Sequence, residues 1–314
     1  VSRRLVGSLA ALGAALIWGF TFVPSKVAMA EMGPFTLAVL RFGVALLVLA
    51  PAACLSRGTA GTRRLPWGTL ALLGFTGVTL FFGLQNLSLA RTSASDAGLI
   101  AGSVPAVTAA LSAIVLKERI GRLRLLGILT SIVGVAGVAL AGSNSGYTGS
   151  LIGDLLMVGA ALSWAVYTLL VKQAGNKMSE ISLLAYTLAF GTLFLIPGGG
   201  TEIAMAGLGA VSLQGWLSVL FLGLFGSGAS FFLWNSALRR LDASEATTYV
   251  NLVPVITVVS AAIVLGEQPA PAQLGGGALV ILGVYLASRQ RRSGDQGTHG
   301  TEHGSRERID RVTV

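Results

Sequence analysis

Trp18, Phe22 and Lys26 stand four residues apart, which places two aromatic rings and an ammonium on one face of a helix. Similar mixtures recur along the chain. Phe82, Gln85 and Asn86 lie close together, as do Trp164, Tyr167 and Thr168, then Trp234 and Asn235, then Thr248, Tyr249 and Asn251. Rings beside neutral amides and hydroxyls offer apolar contact and uncharged hydrogen bonds, the usual make-up of a small-molecule pocket. They do not offer a nucleophile and base. Both histidines, His299 and His303, fall in a polar terminal stretch, and Gly226-Ser227-Gly228 lacks the glycine two places before the serine. An intramembrane serine hydrolase is therefore a poor fit. The single cysteine, Cys54, excludes a disulfide framework and a multi-Cys zinc site. The His299/His303 spacing suggests a metal pair, but no third ligand is visible. No G-x-x-x-x-G-K-[ST] run is present, so ATP does not drive this chain. The expectation is a protein that binds a small solute and is not an enzyme, with no cofactor and no metal.

The elements that position these residues follow from composition. Of 314 residues, 53% are hydrophobic and 11% charged, about half the charge of a soluble domain. Mean hydropathy is +0.76. A soluble enzyme, a disordered chain and a membrane β-barrel all demand other patterns. Ten apolar runs are long enough to cross a bilayer: 5–30, 34–56, 66–89, 94–116, 122–141, 151–172, 180–197, 212–238, 243–265 and 271–288. The first run is too long for a cleaved signal peptide.

The net charge of +9 suggests nucleic acid only until its placement is examined. With the N-terminus placed in the cytoplasm, 19 of the 22 Lys and Arg fall on cytoplasmic segments and the tail, and Arg91 alone falls outside. That is the positive-inside pattern, so the charge reports topology, with both termini in the cytoplasm. Lys26 and Arg41 lie within spans. Asp96 and Glu245 each open a span, in Ser93-x-x-Asp96 and Asp242-x-x-Glu245, which resemble capping boxes. Asp154 opens another, and Glu118 and Glu267 close theirs. Lys26 and Lys172 sit near span ends, where snorkelling is cheap. Arg41 lies about two turns inside span 2 and needs a partner or water.

The chain repeats itself. Shifted by 149, residues 67–135 align without a gap on 216–284, with 25 identities in 69 positions. The matches include Trp67/Trp216, Asn86/Asn235, Arg91/Arg240, Pro105/Pro254 and Glu118/Glu267, which apolar composition alone does not produce. A shift of 146 pairs Trp18 with Trp164 and Lys26 with Lys172. Five spans per copy is an odd number, so the second copy enters the membrane from the opposite side. Inverted repeats are a common plan of secondary transporters, and matched prolines in spans 4 and 9 point to their substrate site. Gly98-x-x-x-Gly102 and Gly275-Gly276-Gly277 read as close helix packing.

Trp18-Gly19, Phe20 through Lys26, Arg41-Phe42 and the run from Asn86 through Pro105 to Glu118, in duplicate, resemble the EamA-domain family of the drug/metabolite transporter superfamily. The resemblance covers residues 5–288 and is nearest to bacterial amino-acid and metabolite exporters. It implies an all-α polytopic fold, with ten transmembrane helices in two inverted five-helix repeats around a central cavity lined by helices 1, 3, 4, 6, 8 and 9. The repeats span 5–141 and 150–288, and 289–314 is a disordered cytoplasmic tail. Thr187 stands where an Arg would match Arg41, so the halves differ there.

Together these readings anticipate a facilitator of small neutral or zwitterionic metabolites, such as amino acids, in a bacterial cytoplasmic membrane, working by alternating access. Its partners are the solute and membrane lipid, not nucleic acid. Substrate binding is assigned to Trp18, Phe22, Phe82, Gln85, Asn86, Trp164, Tyr167, Trp234, Asn235, Tyr249 and Asn251, gating to Pro105, Pro254 and Arg41, and any coupling to Asp96 and Glu245. The competing reading is a proton-coupled exporter of drugs, lipid-linked sugars or other metabolites.

Overall fold

The computed structural model describes residues 2–55, 65–115, 121–144, 151–174, 177–207, 209–238, 240–241 and 249–289, apart from a few side chains, Asn235 among them. Among the described residues the fold is all helix. Eleven helices suffice to follow it: α1 (Arg3–Met29), α2 (Pro34–Leu55), α3 (Trp67–Leu89), α4 (Ala94–Ala101), α5 (Val104–Val115), α6 (Arg122–Asn144), α7 (Leu151–Ala174), α8 (Glu180–Ala206), α9 (213–238), α10 (Leu252–Leu265) and α11 (Pro271–Arg289). Eight stretches are long and apolar enough to cross a membrane, with α4 and part of α5 forming one of them. Leu252–Leu265 and Pro271–Ala287 are shorter apolar helices where spans 9 and 10 are expected. The expected start of span 9, the tail with both histidines, Glu118, Asp242, Glu245 and Thr248 lie outside the described residues.

Serines open four of the helices. Oγ atoms of Ser2, Ser93, Ser179 and Ser212 accept from Leu5, Asp96, Ser182 and Gly215 N–H groups, satisfying donors that a first turn leaves orphaned. The sequence suggests that span 7 ends at Pro197-Gly198-Gly199-Gly200, but α8 continues to Ala206. Tertiary contact overrides propensity here. Gly198 lies so close to α2 that an added methyl would stand 2.9 Å from the Phe35 ring, and flush packing of bare glycines holds the helix in place.

Contacts recur in pairs at the offsets seen in the sequence. Helix α1 packs on α9 and α10, and α7 packs on α3 and α5. A methyl at Gly74 would stand 2.8 Å from the Thr187 carbonyl, and one at Gly223 would stand 2.8 Å from the Arg41 carbonyl. Helix α3 is π-wound over Phe75–Leu80 and α9 over Leu222–Ala229, stretches that overlap at the 149-residue offset. Helices α6 and α11 meet as an antiparallel pair through Gly127 against Gly283 and Gly134 against Gly276. Only bare Cα atoms allow backbones this close.

At one end of the bundle, carboxylates tie helix starts to distant segments. Glu202 accepts from the Phe35 and Thr36 N–H groups at 3.1 and 2.8 Å and from the Thr36 hydroxyl at 2.9 Å. Glu267 accepts from the Ala94 and Ser95 N–H groups at 2.8 and 2.9 Å and from the Ser95 hydroxyl at 2.6 Å. Left-handed Gly266 (φ 67°) ends α10 and turns Glu267 toward α4. Glu31 accepts from the Ser212 N–H and hydroxyl, both at 2.6 Å. The hydroxyl bond, then the N–H bond, holds the Glu31 carboxyl below its ordinary range. Each carboxylate serves a helix N-terminus, where negative charge is favoured.

Candidate functional site

The fold gathers the paired tryptophans. Trp18, near the middle of α1, lies with its ring centroid 6.2 Å from Trp164 of α7, 5.8 Å from Phe231 and 5.3 Å from Trp234 of α9. Trp164 also meets Phe81 at 4.8 Å, Tyr167 at 5.2 Å and Phe231 at 5.8 Å. Edge-on and tilted pairs of this kind suit the ring quadrupoles. Phe231 is buried, whereas Trp18, Phe81, Trp164, Tyr167 and Trp234 keep part of their surface open. The cluster therefore joins four helices near mid-length and leaves several of its rings only partly covered.

Gly77 of the π-wound turn of α3 lies against the Tyr167 ring, where a methyl would stand at 2.4 Å. Its counterpart, Gly226 in the π-wound turn of α9, lies against Thr21 and the Arg41 guanidinium. A π turn widens a helix and recurs at functional sites.

Spans 4 and 9 are interrupted beside this cluster. Between α4 and α5 the chain turns at Gly102-Ser103, where the Ser103 N–H donates to the Ile100 carbonyl rather than four residues back. Pro105 follows. The matching turn is at Asn251, ahead of α10 and Pro254. Each proline removes a backbone donor just past the break. Pro254 packs on Gly102, where a methyl would stand 2.7 Å away, so the two interruptions meet.

Other expected site residues sit elsewhere. Phe22 is buried in the core between α1, α4, α7 and α10, with Tyr249 packed against it. Asn86 is fully buried and donates to the Pro34 carbonyl at 2.9 Å, tying α3 to the start of α2. Gln85 is buried with Oε1 unpartnered, and Asn251 leaves Oδ1 unpartnered. Phe82 lies behind Phe81, 4.7 Å from it, and faces Arg41 and Phe42. Phe81 and Phe231 belong to the cluster although the sequence reading passed over both. Phe231 is the repeat counterpart of Phe82 and was recoverable from the 149-residue shift, whereas Phe81 aligns with Ser230 and carries no such signal.

A second polar region lies where α4 begins. A shallow crevice is lined by Ser93, Ser95, Asp96, Glu267, Gln268, Pro269 and Gln273. The Ser93 hydroxyl accepts from the Asp96 N–H as a capping box requires, but Asp96 Oδ1 accepts from Gln273 of α11 at 2.7 Å. Asp96 Oδ2 and Asp154 Oδ2 are buried without partners, and Asp154 Oδ1 accepts from Thr92 at 2.7 Å. Lys26 does not snorkel free. Its ammonium donates to the Thr92 carbonyl. Most polar atoms of this region are already bonded to helix ends, so it closes the bundle, and the half-open aromatic cluster is the better candidate for a solute. Among the described residues no three His, Cys, Asp or Glu side chains group as metal ligands.

Comparison with known proteins agrees with this architecture. The EamA-like transporter family matches residues 5–140 and again 151–289. The chain belongs to the EamA-like transporter family. An uncharacterized transporter of Archaeoglobus fulgidus is 32% identical over 280 residues, covering 88% of this chain and 95% of that protein. A probable terminal-alkyne amino-acid exporter of Streptantibioticus cattleyicolor is 31% identical, covering 87% and 90%. A probable amino-acid metabolite efflux pump of Salmonella typhimurium is 31% identical, covering 88% and 92%. A solved crystal structure at 22% identity superposes with a TM-score of 0.66, covering 93% of this chain and 98% of that one, which shows the shared fold. This EamA protein is thus a multi-pass membrane protein of a transporter family.

Proposed function

We propose that this EamA protein is a facilitator that exports small neutral or zwitterionic metabolites, amino acids foremost, across a bacterial cytoplasmic membrane by alternating access between two inverted five-helix halves. The observation that carries the reading is the convergence of Trp18, Phe81, Trp164, Tyr167, Phe231 and Trp234 beside two interrupted spans. Apolar rings take up the body of a solute, and polar groups beside them take its ends. Paired contacts at the 146- and 149-residue offsets support two halves that can rock against each other. Amino-acid relatives at 31% identity support the substrate class.

Asp96 and Glu267 line the crevice where α4 begins and are bonded to helix ends and to Gln273 there, and on this reading transport runs down the solute's own gradient. Purified protein in proteoliposomes takes up labelled leucine at the same initial rate, within about twofold, with and without an imposed pH gradient. Strict dependence on the gradient, lost in a folded Asp96→Asn variant, would reject facilitation. It would favour the proton-coupled alternative, for which the unpartnered Oδ2 of Asp96 is the specific support.

The orientation is equally testable. The charge asymmetry puts residues 57–64 and 117–124 in the cytoplasm and 142–150 outside. In a Cys54→Ser background, a cysteine at position 145 reacts with an impermeant maleimide in intact cells. Reaction only after permeabilisation reverses the topology.

A further inference from the structure

We infer that Arg41 is the anchor for a substrate carboxylate, so that the group this transporter selects is the carboxylate rather than the ammonium. The inference rests on the transport reading above and narrows its substrate class.

Arg41 is 2% exposed within an apolar helix. Its guanidinium carbon lies 4.7 Å from the Phe82 ring centroid and 5.3 Å from that of Phe42. Nε donates to the Ser227 hydroxyl at 3.1 Å. Among the described residues no carboxylate offsets the charge. Cation–π contact recovers part of the cost of desolvation. A buried ion without a counter-ion is nonetheless expensive, and in a membrane such a group is functional by default.

The alternative is that Arg41 merely staples α2 to α9. The other half argues against it. The backbone of Thr187 meets Gly74 as the backbone of Arg41 meets Gly223, at the same 2.8 Å. The same joint is therefore built there without a guanidinium. Thr187 is buried with its hydroxyl unpartnered, so no charge replaces the arginine. The charge is an addition to one half, and a missing counter-ion is what a carboxylate-bearing solute supplies. A planar guanidinium pairs with a carboxylate through two parallel hydrogen bonds. One guanidinium balances one charge, which suits a monocarboxylate better than a phosphate dianion.

Access runs through Phe82. Its ring separates Arg41 from Phe81, and Phe81 touches Trp164 at 4.8 Å. A side-chain swing at Phe82 opens the cluster to the guanidinium. Gln85, one turn along α3, has its buried Oε1 free for an ammonium group. A neutral acceptor discriminates less than a charged donor, so the carboxylate dominates selection.

The test uses full-length protein in proteoliposomes, labelled leucine as probe, and three competitors. These are 4-methylpentanoate, which lacks the ammonium, and leucinamide and 3-methylbutylamine, which lack the carboxylate. In the wild type, 4-methylpentanoate competes within about threefold of leucine, and the two amines compete about tenfold more weakly or worse, the size of a lost charge-assisted hydrogen bond. In Arg41→Gln the gap between leucine and leucinamide collapses below about threefold. Binding is read independently by quenching of intrinsic tryptophan fluorescence, to which Trp18, Trp164 and Trp234 of the cluster contribute. Arg41→Lys, which keeps the charge but not the fork, retains part of the gap and serves if the glutamine variant does not purify folded. An unchanged gap in a folded variant overturns the anchor role, as does a wild type that moves leucine and leucinamide equally, which leaves amino-acid export standing. Uptake of 4-methylpentanoate but not leucine overturns amino-acid export and leaves the anchor. Failure of both compounds to move or quench overturns both.

Discussion

Replacing Gly134 with alanine strips the membrane of folded protein, while the same change at Gly137, one turn along the same helix, is neutral or mildly stabilising. A methyl at Gly134 would stand 2.6 Å from the Val280 amide nitrogen and 2.7 Å from the Gly276 carbonyl. Both are backbone atoms, so no rotamer relieves the clash and α6 must separate from α11. At Gly137 the methyl would meet the Gly276 Cα at an ordinary 3.5 Å. Helix propensity favours alanine over glycine by about 1 kcal/mol at both sites. At Gly137 that term decides. At Gly134 the overpacking cost, at the top of the usual ~1–3 kcal/mol range or beyond it, outweighs it. Thermal melting of the detergent-solubilised variants, followed by size-exclusion chromatography, reads the difference. Equal melting temperatures for the two variants would show that the pair does not depend on backbone contact.

Trp164→Ala abolishes most transport while leaving protein level within about twofold of wild type. The indole touches four other rings, on α1, α3, α9 and its own helix. Each aromatic pair is worth about 0.5–1.5 kcal/mol beyond area burial. A tenfold fall in uptake corresponds to about 1.4 kcal/mol, so loss of two such contacts with the solute or its pocket suffices. Trp164→Phe retains a ring and keeps a substantial part of the rate. Leucine uptake per folded molecule is the measurement. A normal rate in Trp164→Ala would make the cluster simple packing and move the site elsewhere.

Much of this arrangement is visible in the sequence because it is written twice. Matched tryptophans at the 146-residue offset identified Trp18 and Trp164, which meet, and matched prolines marked the turns at Gly102-Ser103 and Asn251. Composition and loop charge defined the helices because a bilayer demands long apolar runs. Three kinds of feature stayed hidden. The π-wound turns change which backbone carbonyl is paired, and no side chain announces that. The length of α8 depends on glycines whose helical fitness comes from Phe35 of another helix. The capping carboxylates serve N–H groups more than 160 residues away, a distance over which local pattern carries no information. Asn86 is ambiguous in another way. Its duplication suggests a solute contact, its Nδ2 donates to the Pro34 carbonyl and its buried Oδ1 has no partner, so a repeated residue can also serve architecture.

The three carboxylates also bear on the proposed movement of the two halves. Glu31 reaches from the first half of the chain to the second, and Glu202 and Glu267 reach from the second back to the first. Each holds a main-chain donor that has no other partner in its helix. On the proposed reading, parting of the halves at this end strips each of these helix starts of its carboxylate. Water can take the place of exposed Glu31 at Ser212, but not readily that of buried Glu267 at Ala94 and Ser95. The Glu267 contact is then the costliest of the three to release, and the one that holds this end shut longest.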